Sequence, residues 1–497
     1  MQMTLTELLP FIMAVPLMGA GVTAVLPGRV MPWVAAQLAC LFSAVVAGAV
    51  LAQTIDGAVL SYPFGNWPPP IGIEYRVDAA NAFVAFLVAL MAALTLIWAP
   101  KSVRADIESR HGTFYALFLL VVAGLLGITL TGDAFNVFVF LEISSLATYG
   151  LIALGKDRRA LLAAFRYLIM GTVGATFFLI GIAFLYMVTG TLNMADLADR
   201  LPALSDNNAV RAALAFIIVG MGLKLALLPL HLWLPNAYAY APNFVTVFLA
   251  GTATKVALYV MLRFVFTVFD PSYSFLVLPL STVLMVLALA GMFAGSWVAM
   301  FQIHLKRMLA YSSVAQVGYM VLGVSLATLT SLTAAFLHLF NHALIKTALF
   351  MAVGSMMYRT GSAKLDDIRG LGRQMPWTFT AFALAGLSII GVPTTVGFIS
   401  KWYLVLASIE SGAWWLVILL VVTSLMALYY IWRVIEAAWF SPRPDGAKTV
   451  TEAPLALLVP TWIVVALNFY FGLDTRLTVG AATAAAQALL NPGVAMP

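Results

Sequence analysis

Apolar runs long enough to cross a bilayer recur along nearly the whole of this chain, and no water-soluble fold can absorb so many of them. A helix needs about 20 mostly apolar residues to traverse the hydrocarbon core. By that rule the sequence predicts spans near 7–27, 32–54, 79–99, 113–131, 134–155, 160–190, 209–231, 243–268 and 273–300. Further spans follow near 308–328, 330–358, 376–408, 413–440 and 453–472, and a small-residue tail, Ala481 to Leu490, reads as a short amphipathic piece. The expected fold is therefore an all-α polytopic membrane protein with about 14 transmembrane helices. Composition agrees: 9% of the residues are charged, against about 25% in a soluble protein, so most of the surface must face lipid.

The basic residues set the orientation. If the N-terminus lies outside, the cytoplasmic loops hold Arg29, Lys101, Arg104, Arg110, Lys156, Arg158, Arg159, Lys306 and Arg307. They also hold Arg359, Lys364, Arg369, Arg373, Arg443 and Lys448, a sum of 15. The outer loops and their edges hold Arg76, Arg200, Arg211 and Arg476, a sum of 4. That asymmetry follows the positive-inside rule and puts both termini on the outer side. The net charge of +6 then reflects loop placement, not an affinity for nucleic acid. The first residues lack a basic n-region, so the first apolar run reads as a retained helix. The single cysteine, Cys40, permits no internal disulfide, no cysteine-ligated cluster and no zinc site. The proline-rich outer segment from about 55 to 78 reads as a structured loop. Without a linker or charge run to divide the chain, residues 1–497 form one membrane domain.

Seven basic residues remain inside spans: Arg166, Arg263, Arg433, Lys224, Lys255, Lys346 and Lys401. An ionisable side chain at the bilayer centre costs about 2.5–3.5 kcal/mol on insertion scales. Arg166 and Arg263 lie near helix ends and can snorkel. Arg433 and Glu436 are three residues apart on one helix face and can pair with each other. The rest resist such explanations. Glu142 sits about 12 Å into its span at 1.5 Å per residue, and Lys224, Lys255 and Lys346 lie deep in theirs. His338, His342 and Lys346 follow at i, i+4 and i+8 and share one helix face.

Two spans also carry helix breakers. The seventh contains Pro229 shortly after Lys224, and the twelfth contains Gly391 and Pro393 shortly before Lys401. Proline removes a backbone donor, and broken backbone at membrane depth is tolerated only where it is buried in protein or lines a wet cavity. Paired interrupted helices, five spans apart and opposite in direction, point to two inverted five-helix repeats. Spans 4–8 (113–268) and 9–13 (273–440) are the expected units. A buried lysine suits a proton relay, because burial weakens its hold on the proton and a carboxylate restores it. Arginine does not give its proton up. Glu142 is thus placed to control Lys224.

These motifs resemble the antiporter-like membrane subunits shared by respiratory complex I, membrane-bound hydrogenases and Mrp-type cation/proton antiporters. The resemblance rests on Phe135-Asn-Val-Phe-Val-Phe-Leu-Glu142, on Lys224 with Pro229-Leu-His231-Leu-Trp-Leu-Pro235, and on Thr254-Lys255-Val. It continues through Leu305-Lys-Arg-Met-Leu-Ala-Tyr-Ser-Ser313, Asn341-His342-Ala-Leu-Ile-Lys346 and Gly397-Phe-Ile-Ser-Lys401. It implies that Glu142 and Lys224 form the control pair and that Lys255 is the connecting lysine. It likewise implies a central relay at His338, His342 and Lys346, with Lys401 as the terminal lysine. The segment Asn236-Ala-Tyr-Ala-Tyr240-Ala-Pro242 lacks the acidic residues usual there in complex I relatives. The long C-terminal extension of the largest complex I and Mrp subunits does not follow span fourteen. Both departures resemble the D-type membrane component of Mrp antiporters.

The resemblance implies other membrane subunits as partners, with protons and Na+ or another monovalent cation as cargo, in a prokaryotic inner membrane. A proton-pumping subunit of a complex I-like oxidoreductase or hydrogenase is the alternative, and a membrane partner of an inorganic-carbon uptake complex is a third. The sequence offers no phosphate loop, dinucleotide fingerprint or zinc-protease motif. Neither a cofactor nor a resident metal is expected in this chain.

Overall fold

The apolar runs fold as helices because only a helix satisfies every backbone donor and acceptor within its own segment in lipid. The computed structural model describes residues 4–444 and 449–490; Lys448, assigned above to a basic loop, lies outside them. The first helices are α1 (Leu5–Val25), α2 (Met31–Thr54), α3 (Ala79–Asp106), α4 (His111–Leu130), α5 (Ala134–Ala153) and α6 (Arg159–Thr189). A short α7 (Met194–Arg200), α8 (Asn208–Leu225), a short α9 (Leu234–Tyr240) and α10 (Asn243–Arg263) follow. The second half holds α11 (Leu280–Met300), α12 (Leu305–Leu326), α13 (Leu329–Thr360), α14 (Pro376–Ile390) and α15 (Val396–Glu410). The last three are α16 (Trp415–Trp439), α17 (Leu455–Leu473) and α18 (Arg476–Leu490).

Thirteen helices among the described residues are long and apolar enough to cross a membrane. The interrupted pair α14 and α15 makes the fourteenth span. Four expected boundaries need correction, the third span among them, which runs on from 99 to Asp106. The seventh span stops at Leu225 rather than 231, because Ala226 takes a left-handed conformation (φ 60°) and the chain leaves the helix before Pro229. The ninth begins at Leu280, not 273, since π-helical turns at Phe264–Val268 and Ser272–Val277 intervene. The tail helix is longer than foreseen, and its alanines pack against α13 and α3.

The connections gather on two faces. Residues 60–77 form an antiparallel hairpin, β1 (Leu60–Pro63) with β2 (Glu74–Val77). Its neighbours are the α4–α5 and α6–α7 turns: Gly132 N donates to Glu74 O at 2.9 Å, and Asn193 Nδ2 donates to Glu74 Oε1 at 2.8 Å. This side is called the hairpin face. On the opposite, basic face, Arg29 donates to Glu108 O at 3.5 Å, and Leu305 N donates to Ala363 O at 2.7 Å. The core lies where α10, α12 and α13 meet, and the apolar stretch of α13 is buried throughout. α1, α6, α11 and α16 keep one apolar side outward, as lipid-facing helices do.

Candidate proton row

Both helix interruptions are built the same way. α8 ends at a left-handed Ala226, and Leu227 N returns to Gly222 O at 2.9 Å. α14 ends at a left-handed Gly391 (φ 92°), and Val392 N returns to Leu387 O at 3.1 Å. This is the Schellman closure of a helix C-terminus, which satisfies some of the last carbonyls and leaves the final ones to other donors at the break. A lysine stands at each. Lys224 occupies the last turn of α8 and donates from Nζ to Ser145 Oγ at 2.7 Å. Lys401, in α15, donates to the last carbonyls of α14, Ile389 O at 3.0 Å and Ile390 O at 2.8 Å, and to Ser424 Oγ at 2.9 Å. Cations near helix C-termini are favoured by the helix dipole. The fit at the second break is close: a Cβ on Gly397 would fall 1.7 Å from Ser388 O, so only glycine admits the start of α15 there.

Glu142 and Lys224 do not touch as an ion pair. Ser145, one turn along α5 from Glu142, takes the lysine's hydrogen bond instead, and one carboxylate oxygen of Glu142 is buried without a partner. Beside Lys224 lies a small cavity of about 30 Å³, lined also by Thr148, Tyr167, Ala253 and Ala257. It has room for a water and reaches the flank of α10, the helix that carries Lys255. Lys255 is fully buried, and its ammonium donates to Ala250 O in its own helix.

Across the α10–α13 contact stands the histidine stripe. His338 is held on both sides, Nδ1 to Ser400 Oγ at 2.9 Å and Nε2 to Gln316 Oε1 at 2.9 Å. His342 stacks on it with ring centroids 6.1 Å apart, and both His342 nitrogens are buried without a partner. Lys346 donates to Leu309 O at 2.7 Å and to Ser312 Oγ. Lys255 lies in electrostatic range of His338, His342 and Lys346, and Lys401 in range of His338. Tyr319 closes the gap, stacked on His338 at 5.5 Å with Lys401 Nζ 4.9 Å from its ring centre. Five of the seven expected residues thus form a connected centre and far end, and Lys224 with Glu142 form a separate cluster across the small cavity.

Several partners were not anticipated. Ser145, Ser312, Gln316, Tyr319, Ser400 and Ser424 supply the hydroxyls and amide that bridge the row. Ser312, Gln316 and Tyr319 fall at i, i+4 and i+7 of α12, a polar stripe whose period was readable in an otherwise apolar span. Asn341 donates to Val396 O at 2.6 Å and fastens the start of α15 to the central helix. Other expectations fail. Arg433 does not pair with Glu436; it donates to Met300 O. Arg263 does not snorkel free but forms a bidentate pair with Asp78 at 2.7 and 2.8 Å. Asp78 is partly buried, which raises a carboxyl's proton affinity, yet Arg263 and two backbone amides outweigh this and hold it below the ordinary range. Lys306, expected in a solvated loop, is 2% exposed in the first turn of α12, with Nζ on Ala241 O at 2.8 Å.

The family model described as NADH:quinone oxidoreductase/Mrp antiporter, TM matches residues 131–427. The chain is 46% identical over 446 residues to the N component of an NADH-quinone oxidoreductase from Desulforudis audaxviator, covering 86% of this chain and 87% of that one. It is 31% identical over 455 residues to the D component of a Na(+)/H(+) antiporter from Bacillus subtilis, covering 90% of each. Its fold superposes on a chain in the structure of the Mrp complex from a Dietzia species with a TM-score of 0.90 at 28% identity, covering 99% and 98% of the two.

Proposed function

Because this chain belongs to the NADH:quinone oxidoreductase/Mrp antiporter family of membrane subunits, we propose that it is the proton-translocating subunit of a multisubunit Mrp-type cation/proton antiporter. The observation that supports this most is the clustered row: hydroxyl, amide and ring groups link His338 to Lys401 through α12 and α15, His342 stacks on His338, and Lys346 is held by Ser312 one helical turn from Gln316. Hydrogen-bonded groups of this kind polarise one another, and a proton moves between such groups when a donor and an acceptor come into contact. Lys224 takes a proton at the first break, and the Glu142 carboxylate on the same face of α5 favours its charged form. When that carboxylate is screened, the proton passes through the cavity beside α10 to Lys255 and on through the histidines to Lys401.

The two breaks belong to inverted repeats over 113–268 and 273–440, so the row crosses from one repeat to the other. The basic face is cytoplasmic by the positive-inside rule, in a prokaryotic cell membrane. The other membrane subunits of the complex carry or couple the monovalent cation. The Asn236 to Pro242 segment without acidic residues favours this antiporter reading. A second reading is favoured by the relative named as an NADH-quinone oxidoreductase component: the same row driven by a redox partner. Reconstitution of the intact complex separates them. Cation-driven proton release without any electron donor supports the antiporter; proton movement that requires an electron donor and co-purifying iron–sulfur or flavin subunits supports the redox pump.

A further inference from the structure

α10 carries Lys255, Tyr259 and Arg263 at i, i+4 and i+8, so one helix face runs from the middle of the row toward the hairpin face. Tyr259 stands ~6 Å along the helix from Lys255 at 1.5 Å per residue. Tyr259 and Arg263 line a cavity of about 860 Å³ on the hairpin face, together with Arg76, Asp78, Thr131 and Asp199. The bottom of this cavity is therefore a single helical turn from a row lysine. One turn above that bottom the wall carries a charged pair. Arg263 is 8% exposed; it grips Asp78 with both terminal nitrogens, and its Nε donates to Tyr259 Oη at 3.2 Å. Tyr259 in turn donates to Thr129 O at 3.3 Å, which fixes its ring against α4.

A guanidinium keeps its proton, so Arg263 is no relay. It is a fixed positive charge in the wall of the cavity, one helical turn above its Tyr259 bottom, and such a charge in a narrow passage is a barrier to protons and cations. Asp78 tempers that barrier without removing it. We propose that this cavity is a port through which the centre of the row, at Lys255, exchanges protons with solution on the hairpin face, guarded by the Arg263–Asp78 pair. The proposal rests on the proton-row reading above and adds an opening at the middle of the row, in addition to its ends.

The test uses the intact complex in proteoliposomes with a trapped pH dye. Asp78→Asn with Arg263→Gln leaves a neutral, hydrogen-bonding pair and removes the guard. Passive proton leak then rises about tenfold, equivalent to about 1.4 kcal/mol off the barrier. Adding Lys255→Ala returns the leak to the wild-type level, whereas adding Lys401→Ala does not. An unchanged leak, or one that survives Lys255→Ala, overturns the port. Lys224→Ala is measured alongside: wild-type transport in it defeats the row itself, while a dead Lys224→Ala beside a tight double variant defeats only the port.

A second measurement leaves the pair intact in case the double variant does not assemble. Ala198 lines the cavity wall, and the native Cys40 is buried away from reagent. Ala198→Cys alone transports normally; a bulky membrane-impermeant maleimide applied on the hairpin face then slows transport about tenfold. Complete labelling with full transport retained overturns the port.

Discussion

The Arg263–Asp78 pair makes a quantitative prediction, because its parts can be removed one at a time. Both side chains are mostly buried, at 9% and 19% exposure. Breaking a buried pair by deleting one partner costs about 3–5 kcal/mol. Asp78→Asn removes the charge and leaves Arg263 the hydroxyls of Tyr259 and Thr267 and one amide oxygen shared with the α3 cap, so it falls at the low end of that range. Asp78 also caps α3, accepting from Ala80 N at 2.9 Å and Asn81 N at 3.2 Å. Asparagine keeps this cap and alanine does not, which adds about 1 kcal/mol, so Asp78→Ala costs roughly 4–6 kcal/mol. Arg263→Gln is gentler by up to ~2 kcal/mol, because the stranded carboxylate still faces two amides at the positive end of a helix. A double-mutant cycle therefore gives a coupling of ~2–3 kcal/mol. The assay is unfolding in mixed micelles followed by tryptophan fluorescence. Acid adds a second signature. Arg263 depresses the folded-state proton affinity of Asp78, so its stabilisation is whole above about pH 4 and is lost as the pH falls further. Asp78→Asn flattens that loss. A coupling below about 0.5 kcal/mol, the value of a screened surface pair, refutes the reasoning.

Two further outcomes follow from single positions. Gly391→Ala places a side chain at φ 92° and sets its Cβ 3.0 Å from Lys401 Cδ. It should cost ~1–2 kcal/mol of stability and slow proton transport, since Lys401 must leave the α14 carbonyls; wild-type stability and rate together would contradict this. His304, on the basic face, is pushed down to about 4 by burial and by Lys306, Arg307, Arg159 and Lys364 around it. It is therefore neutral in the fold, its contribution to stability is full above about pH 6.5, and that contribution is lost as the pH falls toward 4. His304→Gln should flatten the pH dependence of the unfolding midpoint in that window; an unchanged slope would contradict the assignment.

The spans, the two interruptions and the depth of each lysine were legible in the sequence because they depend on local quantities: apolar length, proline and glycine placement, and charge where lipid should be. Contacts between helices were not. Nothing local marks Ser145 rather than Glu142 as the group that touches Lys224. Arg263 and Asp78 are 185 positions apart, and their meeting depends on how α10 stands against α3. The failed Arg433–Glu436 pairing has the same origin: sequence spacing shows that two groups share a face, not which neighbour outbids the other. Lys306 was misplaced because a loop count assigns a residue near a helix start to solvent, whereas the packing of α12 beside the α9–α10 turn buries it. The polar stripe of α12 is the exception, a periodic signal present in the sequence yet faint, because serine and glutamine carry no charge.

The central claim is that protons travel along the row that begins at Lys224 and Glu142. Its most direct test is cation-dependent proton movement in membrane vesicles bearing Lys224→Ala or Glu142→Ala, with assembly of the complex verified in the same membranes. The proton-row reading predicts that movement is abolished in both while the complex still assembles. Wild-type transport in both assembled variants would contradict it.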